Sequence, residues 1–298
     1  MTKKAYPQLK GTGVALVTPF KEDKSIDYTA LEKLLIHTAE GGVNYWVVMG
    51  TTGESVTLNK DEKKEILAFV KKNNPHKIPI VYGIGGNNTQ ELLHTLQDTD
   101  LEGVEAILSV SPYYNKPSQE GIYQHYITLA EASPKPLLLY NVPGRTASNI
   151  SAQTTLKLAQ HPNIIGTKEA SGNIEQCLYI AKNRPENFLL ISGDDLLTAT
   201  LMAMGGEGVV SVLANAIPQI FAQTIELATQ QKFIQANNTI AQILSINPLM
   251  YEESNPTGVK QALEILNITS AEVRLPLIKA SATLKEKIQQ SLQEILKM

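Results

Sequence analysis

Eight short apolar runs restrict the fold of this chain more than any other feature of its sequence. Each run is too short to form a helix, and its continuous apolar character indicates a strand that is buried on both faces. The runs start about 20 to 35 residues apart, which leaves room for a helix between consecutive strands. They occupy residues 13–17, 45–49, 78–82, 106–110, 136–140, 163–166, 188–191 and 208–212.

Segments with helical character fill the gaps between these runs. Asp27 and Asn59 each precede such a segment, and their short polar side chains suit the N-cap of a helix. Eight strands that alternate with eight helices predict an α/β fold of the (β/α)8 TIM-barrel class. A doubly wound sheet is the alternative, but eight regular units favour closure. The predicted helices occupy residues 28–40, 60–72, 89–100, 118–132, 151–159, 173–182, 194–204 and 218–230.

The last part of the chain, residues 232–298, lacks a convincing strand pattern. Its apolar residues follow helical spacing, as in residues 268–296. The sequence therefore predicts a catalytic barrel over residues 1–231. Residues 232–298 are expected to form a C-terminal helical appendage of about three helices packed on the barrel, with no linker between independent domains.

Charge and composition exclude several classes of protein. A formal net charge of -3 over 298 residues provides no basic surface for nucleic acid or an anionic membrane. No apolar run approaches the roughly 20 residues that span a bilayer, and the N-terminal residues do not resemble a secretory signal. The single cysteine, Cys177, cannot form an intramolecular disulfide and fits a reducing compartment. We therefore expect a cytoplasmic protein.

The apolar run at residues 163–166 is followed almost at once by Lys168. In TIM barrels the active site lies where the strands end and the following loops begin. Burial lowers the pKa of a lysine because it disfavours the ammonium form, and a neutral amine attacks carbonyl groups to form a Schiff base. The alternative is a lysine that extends to solvent or pairs with Glu169.

Other side chains at the predicted strand ends could support this chemistry. Tyr140 ends the preceding strand and is expected beside Lys168, where its hydroxyl could shuttle protons. Thr51 and Thr52 offer short hydroxyls between glycines, which allow close approach of a substrate to the backbone. Arg145 could bind a carboxylate with two parallel hydrogen bonds. Taken singly, each also has an ordinary interpretation, such as a core tyrosine with a solvated tip or a surface arginine.

Five motifs occur in order at the predicted strand ends. They are GTTGES at residues 50–55, SPYYNKP at 111–117, YNVPGRT at 140–146, GTKEA at 166–170 and SGDD at 192–195. Together they resemble the 4-hydroxy-tetrahydrodipicolinate synthase (dihydrodipicolinate synthase) family, within the N-acetylneuraminate lyase superfamily. The resemblance extends from about Gly11 to the C-terminal helices, which is essentially the whole chain.

The resemblance implies an enzyme that condenses pyruvate with L-aspartate 4-semialdehyde, the first committed step towards diaminopimelate and lysine. By resemblance, Lys168 forms the Schiff base with pyruvate and Tyr140 is the central proton shuttle. Thr52 relays protons between Tyr140 and Tyr114, which the family supplies from the neighbouring subunit. The resemblance thus implies a homo-oligomer, with a dimer as the smallest complete catalytic unit and a tetramer, a dimer of dimers, as the common form.

The resemblance also implies how the substrates are held. Thr51 and Thr52 bind the pyruvate carboxylate, and Arg145 receives the carboxylate of the semialdehyde. Backbone groups near Gly193 and Val210 help to orient both substrates.

Other polar features of the sequence do not indicate a metal or a cofactor. The glycine-rich segment at residues 83–86 lacks the spacing of a dinucleotide-binding fingerprint. Asp194 and Asp195 are interpreted as caps of the next helix rather than as metal ligands. The five histidines are scattered and form no ligand pattern. We therefore expect no metal and no dissociable cofactor.

Lysine-inhibited members of this family bind lysine at the dimer interface, beside the tyrosine pair. Feedback-sensitive members often carry histidines where this chain has Lys60 and Lys63, and two extra cations would repel a cationic ligand. We therefore predict weak or absent inhibition by lysine; an ordinary solvated helix face is the alternative interpretation of both lysines. The possible allosteric lysine site consists of Val56, Lys60, Lys63, Asn87, Glu91 and Tyr113.

Two other functions remain open at this point. A pyruvate-dependent aldolase of the same superfamily, such as N-acetylneuraminate lyase or 2-keto-3-deoxygluconate aldolase, would share the lysine and the tyrosine. The threonine pair together with Tyr114 and Arg145 favours the synthase. A non-catalytic ligand-binding paralogue would be free to lose Lys168 or Tyr140, and this chain has both.

Overall fold

The structure is a computed structural model that describes residues 4–297, and its centre is a closed barrel of eight parallel strands. Each strand pairs with the next, and β1 pairs with β8 to close the barrel, so the predicted fold class is confirmed. The strands are β1 (Gly11–Ala15), β2 (Tyr45–Val48), β3 (Ile80–Gly83), β4 (Ala106–Val110), β5 (Leu137–Asn141), β6 (Ile164–Glu169), β7 (Leu189–Ser192) and β8 (Gly208–Ser211).

Helices follow the strands and continue into the C-terminal part of the chain. The predicted caps of the first two are confirmed: Asp27 accepts a hydrogen bond from the backbone of Ala30, and Asn59 forms a capping box with Glu62. None of the helices in the described part of the chain is both long enough and apolar enough to cross a bilayer. The helices are α1 (Tyr28–Glu40), α2 (Lys60–Lys72), α3 (Thr89–Asp98), α4 (Gln119–Ala132), α5 (Pro143–Thr146), α6 (Ala152–Leu158), α7 (Ile174–Asn183), α8 (Thr198–Ala203), α9 (Pro218–Thr229), α10 (Phe233–Ala241), α11 (Thr257–Ile265) and α12 (Ala282–Ile295).

Side chains fill the interior of the barrel. Tyr45, Val47 and Leu108 belong to this inner core and are almost fully buried. At the seam between β1 and β8 there is no room for a side chain, because a Cβ on Gly208 would lie 2.0 Å from the carbonyl oxygen of Gly11. The close-packed interior gives the strand ends fixed positions around the mouth of the barrel.

The structure corrects the predicted start of α8. The sequence pattern over residues 194–204 predicted a helix capped by the aspartate pair, but α8 starts later, at Thr198. Asp194 accepts hydrogen bonds from the backbone of the turn that follows it. The carboxylate of Asp195 accepts from the backbone N–H groups of Val212 and Leu213, so it ties this turn to the segment after β8. The interpretation of both residues as helix caps is therefore wrong.

The C-terminal part of the chain contains α10, α11 and α12, but it is less helical than its apolar spacing suggested. Residues 266–281 are irregular, and α12 begins only after its N-cap, Ser281. Pro276 has no backbone N–H to offer a helix in this stretch. Ala271 and Val273 are nevertheless buried, so the apolar spacing there serves tertiary contacts. The division between residues 1–231 and 232–298 stays a prediction.

Candidate active site

Lys168 lies at the mouth of the barrel, near the end of β6. Its side chain is 6% exposed, and its register partner on β5 is Tyr140. The Nζ atom lies 4.2 Å from the centroid of the Tyr140 ring. The predicted proximity of these two side chains is confirmed, and it follows from the parallel pairing that places neighbouring strand ends side by side.

The carboxylate next to Lys168 in the sequence does not pair with it. Successive side chains of a strand point to opposite faces, so Glu169 points away from the barrel interior. Its carboxylate accepts hydrogen bonds from Asn141, Gln176 and the backbone of Ser171. Because Lys168 is buried and Glu169 is engaged elsewhere, the interpretation of Lys168 as a solvated or Glu169-paired lysine is wrong.

Gly193 leaves the space that the Lys168 side chain occupies. A Cβ at this position would lie 2.9 Å from Cε of Lys168 and 2.6 Å from Cβ of Ala170. The backbone N–H of Gly193 also donates to the carbonyl of Glu169 at 2.8 Å, so the loop after β7 passes directly beside the lysine. A larger residue here would displace either the lysine or the loop.

The two candidate threonines lie in a short 3-10 helix, Thr51–Gly53, directly after β2. Thr51 is exposed, whereas Thr52 is only 3% exposed. The Oγ1 atom of Thr52 accepts a hydrogen bond of 3.1 Å from Nδ2 of Asn255. A residue of the C-terminal part of the chain therefore contacts one of the two candidate hydroxyls.

The same loop is anchored a second time at Glu54, which has a positive φ of 52°. Its carboxylate accepts a hydrogen bond of 2.5 Å from Nζ of Lys260 and one of 3.0 Å from the backbone N–H of Arg274. Both ions of the Glu54–Lys260 pair are almost fully buried. The C-terminal part of the chain thus holds the loop that carries Thr51 and Thr52.

Arg145 lies in α5, a single turn that directly follows β5. Pro143 begins this turn, and its fixed φ suits the first position of a helix. The Arg145 side chain is exposed, so its guanidinium is available to a ligand that enters from solvent.

One cavity of about 160 Å³ joins most of these groups at the mouth of the barrel. The C-terminal part of the chain contributes Asn247, Tyr251 and Asn255 to its wall, and sequence analysis missed all three. Two Asn-Pro dipeptides, at residues 247–248 and 255–256, were the available signal for the two asparagines, because such dipeptides mark turns and loops, whereas Tyr251 had no such signal. The predicted residues that line the cavity are Thr51, Thr52, Tyr140, Arg145, Lys168 and Gly193.

The wall of this cavity carries both basic and acidic side chains. Lys168 and Arg145 are the basic residues of its wall, and Asp194 is the acidic one. Burial raises the pKa of Tyr251, and Asp195 and Asp194 raise it further, so the phenol stays protonated at neutral pH. Burial also raises the pKa of Asp195 to about 6. An amine and a guanidinium in one small cavity suit a ligand that carries a carbonyl and a carboxylate.

Two predicted site residues do not line this cavity. Val210 is 1% exposed within the barrel interior, and Val212 lines the cavity instead. Tyr114 is 87% exposed and has a positive φ of 72°. Within one chain, therefore, the Tyr114 side chain is at the surface and not in the cavity that holds Lys168.

A second cavity of about 520 Å³ shares Thr51, Tyr140 and Arg145 with the first one. Nζ of Lys60 lies 3.4 Å from Oε1 of Glu91 in its wall. Burial lowers the pKa of Lys63, and repulsion by Lys60 lowers it further. All six residues of the possible allosteric site line this cavity: Val56, Lys60, Lys63, Asn87, Glu91 and Tyr113.

Comparison with known proteins finds relatives over nearly the full length of the chain. Residues 8–297 match the model of the dihydrodipicolinate synthetase family. The chain belongs to this family. A 4-hydroxy-tetrahydrodipicolinate synthase of Cytophaga hutchinsonii is 52% identical over 281 residues, which cover 94% of this chain and 95% of that protein. The chain is accordingly an enzyme, a lyase of the 4-hydroxy-tetrahydrodipicolinate synthase type, with a role in lysine and diaminopimelate biosynthesis.

Two solved structures of family members are particularly informative. The chloride-inhibited dihydrodipicolinate synthase of Acinetobacter baumannii, complexed with pyruvate, is 36% identical with a TM-score of 0.94 and covers 97% of this chain and 100% of that chain. The enzyme of Cyanidioschyzon merolae with lysine bound is also 36% identical, with a TM-score of 0.93, and covers 99% of this chain and 100% of that chain.

In the part of this family member that the structure describes, no group of three or more histidine, cysteine, aspartate and glutamate side chains is arranged to hold a metal ion.

Proposed function

We propose that this enzyme condenses pyruvate with L-aspartate 4-semialdehyde through a Schiff base on Lys168. The observation that carries the proposal is the buried Lys168 amine, 4.2 Å from the Tyr140 ring and in one cavity with Thr52 and Arg145. The carboxylate next to Lys168 in the sequence, Glu169, accepts hydrogen bonds from Asn141 and Gln176 instead. An amine that no carboxylate engages is available as a nucleophile towards a carbonyl carbon. The relative from Acinetobacter baumannii with bound pyruvate supports the choice of the first substrate.

The reaction begins when Nζ of Lys168 attacks the C2 carbonyl of pyruvate. Loss of one water gives the imine, which withdraws electrons from C3, so that C3 loses a proton and an enamine forms. C3 of the enamine then attacks the aldehyde carbon of the semialdehyde, and the aldehyde oxygen takes up a proton. Finally, the substrate's own amine attacks C2 and displaces Lys168, which closes the ring. One water leaves per product, 4-hydroxy-tetrahydrodipicolinate, and the lysine is regenerated.

Each of these steps moves a proton, and the Tyr140 ring lies 4.2 Å from the reacting amine. We assign the shuttle to the hydroxyls of Tyr140 and Thr52, with Tyr114 of a neighbouring subunit as the outer member. In this scheme Thr51 and Thr52 bind the pyruvate carboxylate, and backbone groups near Gly193 and Val210 orient the substrates. Arg145 binds the carboxylate of the semialdehyde with paired hydrogen bonds.

A homodimer is the smallest unit that could complete this site. Tyr114 is 87% exposed and has a positive φ, an arrangement that is costly for a large side chain on a free surface. Contact with a second subunit would bury the ring and supply the reason for its backbone conformation. We therefore propose a dimer as the catalytic unit, with a tetramer formed from two dimers.

Borohydride trapping tests the proposed function. The enzyme is incubated with pyruvate and reduced, the added mass is located by peptide mass spectrometry, and turnover of aspartate semialdehyde is followed in parallel. We expect the adduct on Lys168, none in Lys168→Ala, and a normal adduct in the control Lys33→Ala, which changes an exposed lysine of α1. An adduct without semialdehyde turnover would indicate a sugar-acid aldolase. An active protein without an adduct on Lys168 would refute the Schiff-base mechanism.

We also propose that lysine inhibits this enzyme weakly or not at all. The carboxylate of Glu91, which would receive the ammonium of a bound lysine, is already paired with Lys60 at 3.4 Å. Lys63 adds a second positive charge to the wall of the same cavity. The related structure with bound lysine indicates that inhibition is a reasonable property to test.

The test compares lysine inhibition of the wild type with that of Lys60→Ala. Removal of this cation frees Glu91, so we expect the half-inhibitory lysine concentration to fall by roughly 5-fold or more. Lys33→Ala again provides the control with an unchanged cavity. Half-inhibition of the wild type at micromolar lysine would contradict the proposal.

A further inference from the structure

Asn255 occupies an unusual position for a side-chain amide. It lies just before α11, is 5% exposed and lines the cavity that contains Lys168. Nδ2 of Asn255 donates to Oγ1 of Thr52 at 3.1 Å, and this contact joins residues 203 positions apart in the chain. The other end of the amide, Oδ1, is buried and has no hydrogen-bond partner in the part of the chain that the structure describes.

This pattern does not fit a residue kept for stability. Buried amides are generally hydrogen-bonded at both ends, and an unpaired carbonyl oxygen destabilises the folded state. The position of the loop does not depend on Asn255 either. Glu54, two residues beyond Thr52, is held independently by Lys260 and by the backbone of Arg274. The bond from Asn255 therefore acts on the Thr52 hydroxyl and not on the position of its backbone.

We propose that Asn255 is a positioning residue that fixes the orientation of the Thr52 hydroxyl for proton transfer. A hydroxyl has one donor and two acceptor positions. The amide N–H of Asn255 occupies one acceptor position of Thr52, which leaves one position to receive a proton and one O–H to donate. A threonine hydroxyl with one free acceptor position and one O–H to donate can transfer a proton in a defined direction. This inference rests on the proposed function, in which Thr52 relays protons to and from Tyr140.

Through this contact, the C-terminal part of the chain also has a positioning role in the proposed reaction. The barrel supplies the amine and the tyrosine, whereas the segment before α11 sets the orientation of the relay hydroxyl. A (β/α)8 barrel without this segment would keep the reactive groups but lose control over the Thr52 rotamer.

A double-variant comparison tests the proposal. We expect Asn255→Ala to lower kcat by about 10- to 100-fold, with less than about a 3-fold change in KM for pyruvate, because proton transfer slows while substrate contacts remain. The solvent deuterium isotope effect on kcat should rise. Thr52→Val removes the hydroxyl through which Asn255 acts. The double variant Thr52→Val/Asn255→Ala should therefore be no slower than Thr52→Val alone.

Asn255→Asp is the matched second variant, because it has nearly the same volume but its carboxylate cannot donate to Thr52. Its protonated form can donate, so its kcat should recover relative to the wild type as the pH falls, whereas that of Asn255→Ala should not. If Asn255→Ala does not fold, as judged by circular dichroism, Asn255→Asp replaces it in the double variant.

Two outcomes would overturn this role for Asn255. One is a wild-type kcat in a folded Asn255 variant, and the other is a double variant whose loss is the product of the two single losses. Failure of the proposed function would look different, because the wild type itself would then form no Lys168 adduct or consume no semialdehyde.

Discussion

At the scale of single residues, the lack of a Cβ at Gly193 determines where the amine of Lys168 lies. Lys168 crosses the space beside Gly193, and the contacts that a Cβ would make there are too short for a side chain to persist. The sequence predicted Lys168 and Tyr140 because one closely follows a short apolar run and the other ends the run before it. It did not predict Asn255, because nothing local to residue 255 reveals that its amide contacts Thr52.

Gly193→Ala should therefore impair the first step of the reaction. The added methyl group would lie 2.9 Å from Cε of Lys168, so either the amine or the loop after β7 has to move. A misplacement of about 1 Å can cost about 100-fold in rate, and we expect a loss of that order in kcat/KM for pyruvate. Gly144→Ala is the matched control, since a Cβ there has no neighbour within 4 Å. Equal activity of the two variants would exclude the packing argument.

At the scale of elements, the helix starts that depend on local side chains were predictable, and the irregular segments were not. Asp27 and Asn59 act within their own first turns, so their roles follow from neighbouring residues alone. Residues 266–281 have the apolar spacing of a helix but bury those residues by tertiary packing. Such packing depends on parts of the chain far away in sequence, which a local pattern does not contain.

The contact between α3 and α4 contains a buried histidine whose titration should affect stability. Nδ1 of His125 lies 2.8 Å from Oγ1 of Thr89, and the side chain is 6% exposed. Burial lowers the pKa of His125 to about 4 from a usual 6.5. Below pH 6.5 the unfolded chain binds a proton that the folded chain does not. The free energy of unfolding should therefore fall as the pH drops from 6.5 to 4, by up to about 3 kcal/mol.

Urea unfolding at a series of pH values checks this expectation. His125→Gln cannot titrate, so its stability should fall less between pH 6.5 and 4 than that of the wild type. If both proteins lose stability in parallel over this range, His125 is not the group responsible.

Lys260 of α11 and Glu54 of the loop after β2 form a buried ion pair, which should stabilise the fold only while both charges are present. Burial lowers the pKa of Lys260 to about 8, so its amine still carries a charge at pH 7 and pairs with Glu54. Lys260→Met would leave the Glu54 carboxylate buried without its counter-ion. We expect a loss of about 3–5 kcal/mol in the free energy of unfolding, measured with urea at pH 7.

The double variant Glu54→Gln/Lys260→Met provides the control for this pair. It removes both charges, so it should recover much of the stability that Lys260→Met loses. A double variant as unstable as Lys260→Met would indicate that packing, and not the unpaired charge, accounts for the loss.

At the scale of the whole molecule, the chain alone does not complete the proposed site. The barrel class and the position of the amine follow from the sequence, because period and strand order determine both. The proposed role of Tyr114 does not follow from them, because its side chain is 87% exposed and, among residues 4–297, does not line the cavity that contains Lys168 and Thr52. Experiments with two different chains are therefore needed to test whether a neighbouring subunit contacts Tyr114.

Mixing two inactive variants tests whether Tyr114 acts across a subunit boundary. Lys168→Ala lacks the amine but keeps Tyr114, and Tyr114→Ala keeps the amine. In a mixed dimer, one site combines the intact Lys168 of one chain with the intact Tyr114 of the other. Random exchange after partial unfolding and refolding should therefore restore about a quarter of wild-type activity, since half of the dimers are mixed and each has one complete site.

The opposite arrangement gives a clearly different result. If Tyr114 serves the Lys168 of its own chain, every site in the mixture lacks one of the two groups and activity stays at the level of the separate variants. Mixing Lys168→Ala with the double variant Lys168→Ala/Tyr114→Ala provides the control, because no exchange can restore an amine. Recovery in the first mixture and none in the second would establish that the exposed tyrosine belongs to the active site of its neighbour, and that the dimer is required for catalysis.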